Sequence, residues 1–260
     1  MKVVILCGGK GTRIRDVSEI LPKPMIPIGP KPIVEHIMEI YGSYGFDEFV
    51  LCLGYKGWKI KEYFLNYRFQ TSDIAVDLGN SGKIEYADED HLPPWRITLA
   101  ETGLEAMTGA RVARIKKYVE GQRFMLTYGD GVGNVDIEAL LRFHESHGKL
   151  ATVTSVRPPS RFGEIVIEND MVVDFQEKPQ TGAGLINGGF FVCEPGVFDY
   201  LSTEDDCILE RRPLQELAQD RQLMSYVHDG FWMPMDTLRE YNLLNEMWDK
   251  GDPPWKRGDR

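Results

Sequence analysis

Val3-Val4-Ile5-Leu6-Cys7-Gly8-Gly9-Lys10-Gly11-Thr12-Arg13 is the stretch that decides the fold. A short apolar run rich in β-branched residues reads as a strand buried on both faces. It stops abruptly in a glycine-rich turn, which leaves backbone N–H groups without a strand partner. Glycine has no Cβ, so such a backbone can approach a ligand closely. Arg13 adds a planar cationic fork suited to phosphate. The turn therefore reads as a triphosphate cradle. Its spacing is neither the P-loop pattern nor the three-glycine dinucleotide fingerprint. A second cation follows in Pro22-Lys23-Pro24-Met25, where two prolines stiffen the backbone around one lysine.

Working outward, strand and helix signals alternate. Pro32 can open a helix whose apolar residues Ile33, Val34, Ile37, Ile40 and Tyr41 recur at helical spacing. Phe49–Leu53 reads as a buried strand, and Trp58 to Phe69 has a mixed helical pattern. Residues 70–110 read as an excursion with short strands near Ile74–Leu78 and Arg96–Glu101 and a solvated acidic run, Asp88-Glu89-Asp90. A helix is expected near Arg111–Val119, and a strand at Phe124–Tyr128. Asp136 can cap a helix over Ile137–His147. Strands are expected at Ala151–Val156, Glu164–Ile167, Val172–Phe175 and Leu185–Val192, with Asn169-Asp170 as a hairpin turn. Helices close the pattern at Gly196–Leu201, Pro213–Gln219 and Thr237–Lys250. This alternation predicts an α/β fold, a Rossmann-like, doubly wound, mixed but largely parallel sheet flanked by helices, with a small β-rich region. The 260 residues read as one domain. Residues 1–135 carry the glycine turn and the Lys23 loop, with the excursion at about 70–110, and 136–260 make up the second half of that domain.

A formal charge of −10 disfavours nucleic-acid backbones and anionic membranes. A phosphate site must then be a local basic pocket in an acidic surface. No apolar run is long enough to span a bilayer, and the N-terminus lacks a signal-peptide cleavage pattern. Cys7, Cys52, Cys193 and Cys207 are scattered through apolar segments, which suggests buried free thiols and a cytoplasmic location.

Asp130 follows the Phe124–Tyr128 strand within Gly129-Asp130-Gly131, where open α/β sheets bind ligands. A carboxylate there suits a hard cation such as Mg²⁺. Asp236 is its candidate partner, although an Asp before Thr and a helical pattern also reads as an N-cap. Lys178, held by Pro179 after a strand, is a positioned cation, and Asn187-Gly188-Gly189 offers an amide and accessible backbone to sugar hydroxyls or, alternatively, marks a β-bulge. His36, His91, His144, His147 and His228 form no metal or nucleophile constellation.

Together these pieces resemble the sugar-1-phosphate nucleotidyltransferase family. The marks are Gly8-Gly9-Lys10-Gly11-Thr12-Arg13, Pro22-Lys23-Pro24-Met25, Gly129-Asp130-Gly131, Glu177-Lys178-Pro179 and Asn187-Gly188-Gly189-Phe190. Further marks, Cys52–Gly57, Met107–Arg111, Arg161-Phe162-Gly163 and Phe231–Arg239, are similar to members that use CTP and glucose 1-phosphate. The resemblance implies that these give CDP-glucose and pyrophosphate with Mg²⁺, for deoxysugars of a bacterial surface polysaccharide such as O-antigen or lipopolysaccharide, in a homo-oligomer, a hexamer by resemblance. It implies nucleotide contacts at Leu6, Cys7, Gly8, Gly9, Lys10, Gly11, Thr12, Arg13, Lys23, Thr108, Gly109, Arg111 and Tyr128. Arg13, Lys23, Asp130 and Asp236 would be catalytic, the two acids holding the metal, and Glu177, Lys178, Asn187 and Gly188 would bind the sugar phosphate. Three other readings stay open: the same reaction with UTP or dTTP, a nicotinamide-dependent oxidoreductase, and a non-catalytic nucleotide-sensing subunit.

Overall fold

The computed structural model describes residues 1–9, 20–79, 82–87, 92–119, 121–158, 164–168, 171–176 and 184–257. Its centre is a sheet of eight strands: β1 (Val3–Leu6), β2 (Glu48–Leu53), β3 (Arg96–Glu101), β4 (Phe124–Tyr128), β5 (Ala151–Val156), β6 (Ile186–Asn187), β7 (Phe191–Cys193) and β8 (Leu223–His228). The spatial order runs β3-β2-β1-β4-β7-β5. β8 pairs with β5 along its whole length, so β6 and β7 share the other edge of β5. Neighbours are parallel except where the β6–β7 line runs against β4 and β5.

This topology has a consequence for ligand binding. The chain lays β1, β2 and β3 outward in one direction, then returns to place β4 on the other side of β1. At such a switch point the carboxyl ends of adjacent strands diverge and leave a crevice. Here those ends are Leu6-Cys7-Gly8 and Tyr128-Gly129-Asp130.

Both faces of the sheet are covered, which explains the unbroken apolar run of β1. Val3, Ile5 and Cys7 pack with Phe49, Leu51 and the Ile33–Gly42 helix. Val4 and Leu6 face the opposite layer with Val50, Cys52, Val112 and Phe191. All four cysteines are free, and three of them are buried. Among the described residues no helix is long and apolar enough to cross a membrane.

Local chemistry sets the helix ends. The Asp136 carboxylate accepts from the Ala139 N–H at 2.9 Å and opens Ile137–His147, which stops at Gly148 with φ +63°. Thr237 and Glu240 form a capping box at the start of Leu238–Asp249. The 58–69 region is two helices, Gly57–Leu65 and Tyr67–Thr71, and the segment after Glu194 is a 3-10 helix, Pro195–Tyr200.

Two expectations are corrected. Arg96–Glu101 is not part of an excursion but the parallel edge strand β3, paired from Glu48↔Arg96 to Leu53↔Glu101. Among the described residues its outer edge has no neighbour, and only Ala100 of the strand is buried, so it lacks the apolar run of a central strand. What leaves the sheet is the hairpin Ile74–Asp77 with Lys83–Tyr86. Leu185–Val192 is not one strand. It breaks at Gly188-Gly189-Phe190, where Gly189 and Phe190 take φ values of +77° and +48°. The strands Glu164–Glu168 and Met171–Gln176 pair antiparallel, as their spacing predicts. Asn169-Asp170 between them, Asp88-Glu89-Asp90 and Arg161-Phe162-Gly163 lie outside the described residues.

Three histidines sit where burial disfavours their charged form. The His36 Nε2 faces the Ile28 carbonyl at 2.9 Å, and its Nδ1 faces the Trp255 indole N–H at 3.4 Å. His144 and His147 both reach the Thr152 hydroxyl at 2.8 Å. Burial is the main force lowering the pKa of each below the ordinary imidazole value of 6.5. As pH falls through that value the unfolded chain takes up protons first, so stability is full above it and declines below it. Thermal unfolding should therefore have a lower midpoint at about pH 5.5 than at about pH 7.5. An equal or higher midpoint by calorimetry in the acidic buffer would contradict this.

Candidate active site

A cavity of about 550 Å³ opens at the switch point. Leu6, Gly8 and Gly9 line it from β1, and Tyr128, Gly129 and Asp130 from β4. Lys23, Pro24, Asp236 and the segment Leu104–Thr108 complete the walls. A separate apolar cavity of about 20 Å³ near Val112, Phe191 and Leu217 has no polar group suited to chemistry beyond the Cys193 thiol.

At the centre of the larger cavity Lys23 holds two carboxylates. Its ammonium donates to Asp130 Oδ2 at 2.6 Å and to Asp236 Oδ1 at 2.5 Å. Burial works to lower the Lys23 pKa, but the two acids outweigh it, and the net shift is upward. The convergence of the acids is built by backbone. Gly131–Gly133 pairs antiparallel with Trp232–Pro234, and the Met235 N–H donates to the Asp130 carbonyl at 2.8 Å. Thr237, not Asp236, caps the final helix, so the Asp236 carboxylate is left to face Lys23. Glu240 fixes that loop by accepting from the Asp236 and Thr237 N–H groups at 2.7 and 2.9 Å.

Arg111 organises the rear wall. The residue is 4% exposed, and its guanidinium donates to the carbonyls of Leu53, Gly103 and Gly8 and to the Thr102 hydroxyl, all within 3.0 Å. It thereby stitches the carboxyl ends of β1, β2 and β3. The close approach requires glycine at two points. A Cβ on Gly8 would stand 2.2 Å from the guanidinium carbon, and one on Gly54 would stand 2.5 Å from a terminal nitrogen. In this arrangement the terminal N–H groups of Arg111 are already engaged by protein acceptors.

A chain of hydroxyls runs along the side wall. The Thr108 hydroxyl donates to Glu210 Oε2 at 2.6 Å, and the Tyr128 hydroxyl donates to Glu210 Oε1 at 2.6 Å. Asn187 Nδ2 donates to the Tyr128 oxygen at 3.0 Å. Sequence reasoning missed Glu210, because nothing in Leu209-Glu210-Arg211 distinguishes it from a surface acid. It also passed over Leu104–Met107 as lining, where the exposed Leu104 and Met107 at the rim were the available signal.

The expected site residues divide accordingly. Leu6, Gly8, Gly9, Lys23, Thr108, Arg111, Tyr128, Asp130 and Asp236 line one cavity. Cys7 does not: its side chain is fully buried and its N–H is taken by the Cys52 carbonyl at 3.0 Å. Gly109 faces away, where a Cβ would meet Cys207 Sγ at 2.6 Å. Among the described residues Asn187 touches the cavity wall through Tyr128, and a Cβ on Gly188 would meet the Val156 side chain at 2.7 Å. Lys10, Gly11, Thr12, Arg13, Glu177 and Lys178 lie outside the described residues.

The donor set fits a hard divalent cation. Among the described residues no cluster of three or more His, Cys, Asp or Glu side chains could hold a metal. Two carboxylates already share one cationic centre, however, and an ion that keeps several positions for phosphate oxygens and water needs only one or two protein carboxylates.

Comparison with known proteins gives the family and agrees with the fold. The glucose-1-phosphate cytidylyltransferases of Salmonella typhi and Salmonella typhimurium are each 46% identical to this chain over 257 residues, 98% of this chain and 99% of the relative. The crystal structure of apo-UDP-glucose pyrophosphorylase shares the fold with a TM-score of 0.68 at 16% identity, covering 96% of this chain and 98% of that one. Residues 2–242 match the nucleotidyl transferase family model, and the chain belongs to that family of enzymes.

Proposed function

We propose that this enzyme transfers a cytidylyl group from CTP to α-D-glucose 1-phosphate, releasing pyrophosphate and giving CDP-glucose, a precursor for deoxysugars of surface polysaccharide. One observation carries the chemistry: Asp130 and Asp236, far apart in sequence, meet on the Lys23 ammonium at the switch point. The choice of CTP and glucose 1-phosphate is supported by relatives of that name that match over nearly the whole chain.

A phosphate oxygen of glucose 1-phosphate attacks the α-phosphorus of CTP in line with the departing pyrophosphate. The attacking group is anionic at neutral pH, so no side-chain nucleophile is required. Catalysis is positioning and charge stabilisation. The Gly8-Gly9-Lys10-Gly11 backbone, Thr12 and Arg13 hold the β- and γ-phosphates. Lys23 presents its charge to the α-phosphate. Asp130 and Asp236 would hold Mg²⁺, which when bound neutralises phosphate charge. Lys178 receives the sugar phosphate, while Glu177 and Asn187 take glucose hydroxyls.

The apolar residues exposed around the hairpin, Val76 at 46%, Leu78 at 86% and Ile84 at 45%, support a homo-oligomer of this chain. Sedimentation should accordingly give a mass above that of one chain, and Leu78→Asp should lower it. A monomeric wild-type protein would overturn the oligomer.

Incubation with glucose 1-phosphate, Mg²⁺ and CTP, UTP or dTTP in turn should release pyrophosphate fastest with CTP. Faster release with UTP or dTTP would assign the enzyme to a different nucleotide, and no release with any of them would sink the reaction. Asp130→Asn should lower kcat by at least roughly 10²-fold with the fold retained, since it removes one charge from the reacting centre. Near-normal turnover would exclude Asp130 from the chemistry.

A further inference from the structure

The reading of CTP as the nucleotide donor leaves open how the cavity tells cytosine from uracil. These bases differ at position 4, where cytosine carries an amino donor and uracil a carbonyl acceptor. The described wall contains two hydroxyls, Thr108 and Tyr128. A free hydroxyl rotates to suit either partner, because it carries one donor and two acceptor sites. Neither of these two is free to do so.

Glu210 removes the choice. Its ionised carboxylate can only accept, and its two oxygens take the single protons of Thr108 and Tyr128, each at 2.6 Å. Thr108 Oγ1 also accepts the Leu209 N–H at 2.9 Å, and the Tyr128 oxygen also accepts from Asn187 at 3.0 Å. Thr108 therefore has its donor spent and one acceptor site left, and the Tyr128 proton is likewise spent on Glu210. Thr108 presents only an acceptor to a ligand. Burial and the neighbouring Glu210 charge raise the Tyr128 pKa, which keeps that proton in place.

We propose that Glu210 is a specificity-determining positioning residue: by fixing the Thr108 hydroxyl as an acceptor toward the cavity, it selects a base with a 4-amino group over one with a 4-carbonyl. The proposal rests on the cytidylyltransferase reading and adds a residue and a cause to it. A carbonyl at that edge faces a lone pair with no proton between them, and both acceptors then stay unpaired.

The test compares kcat/KM for CTP with that for UTP. Gln at position 210 keeps the size but brings an amide N–H that can donate to the Thr108 oxygen, freeing the hydroxyl proton to turn into the cavity. In Glu210→Gln the CTP-to-UTP ratio should fall by at least roughly tenfold, a loss typical of one partly exposed hydrogen-bond mismatch. Thr108→Val should lower the ratio similarly, and Thr108→Ser, which keeps the hydroxyl, should restore it. Adding Glu210→Gln to Thr108→Val should lower it no further, because the carboxylate acts through that hydroxyl. A merely structural Glu210 would weaken both nucleotides in parallel. An unchanged ratio in Glu210→Gln, or a further fall in the double variant, overturns the assignment. If Glu210→Gln fails to fold, the Val and Ser replacements at Thr108 decide alone: equal ratios in both overturn it. A wild-type enzyme that prefers UTP overturns the nucleotide reading and this proposal together, whereas a CTP-selective wild type with an unmoved ratio overturns only the role of Glu210.

Discussion

Two carboxylates placed side by side at the mouth of a sheet repel unless a cation stands between them, and in this chain Lys23 is that cation. The rest of the site is arranged around this constraint. Lys23 sits in a 3-10 turn, with Pro22 before it and Pro24 after it, and its side chain is mostly buried. Asp130 comes from the end of β4, and Asp236 from the segment that enters the last helix. The short ladder between Gly131–Gly133 and Trp232–Pro234 holds the two acid-bearing segments together. The strand order supplies the opening, because β4 returns beside β1 and leaves the ends of both strands facing it.

Arg111 does for the backbone what Lys23 does for the charges. A buried guanidinium must place its N–H groups on acceptors, and the available acceptors are carbonyls where β1, β2 and β3 end. That gives Arg111 a bracing role in this arrangement. The side-wall network of Thr108, Glu210, Tyr128 and Asn187 starts from the same short helix, Thr108–Arg114. The shape of the rear wall and the polarity of the side wall are thus set by residues three positions apart in sequence.

Much of this was legible in the chain. β1 announced itself through an apolar run ending in glycines, and the Ile33–Gly42 and Ile137–His147 helices through periodicity and a capping Asp. Asp130 was found from its place after a strand. Asp236 was ambiguous, because an Asp-Thr pair before a helix has two candidate caps and only the structure shows that Thr237 takes the role. β3 was misplaced because an edge strand of a covered sheet shows little of the apolar signal. Glu210 was invisible for a different reason. Its meaning lies in partners 102 and 82 residues away, and no local pattern encodes such a distance.

Charge bookkeeping within the cavity explains why the site needs more than the residues that line it. Among the described residues the lining holds two cations, Lys23 and Arg111, against three carboxylates, Glu105, Asp130 and Asp236. One of those cations is turned toward backbone carbonyls, and the whole chain carries a formal charge of −10. Such a surface would repel a nucleoside triphosphate and a sugar phosphate alike. Under the proposed reaction, binding both would require further positive charge, and a divalent ion on the acid pair is one source of it. In the proposed reaction the carboxylates would recruit charge to a site that is otherwise negative, and the pair that Lys23 holds together is the pair that such an ion would occupy.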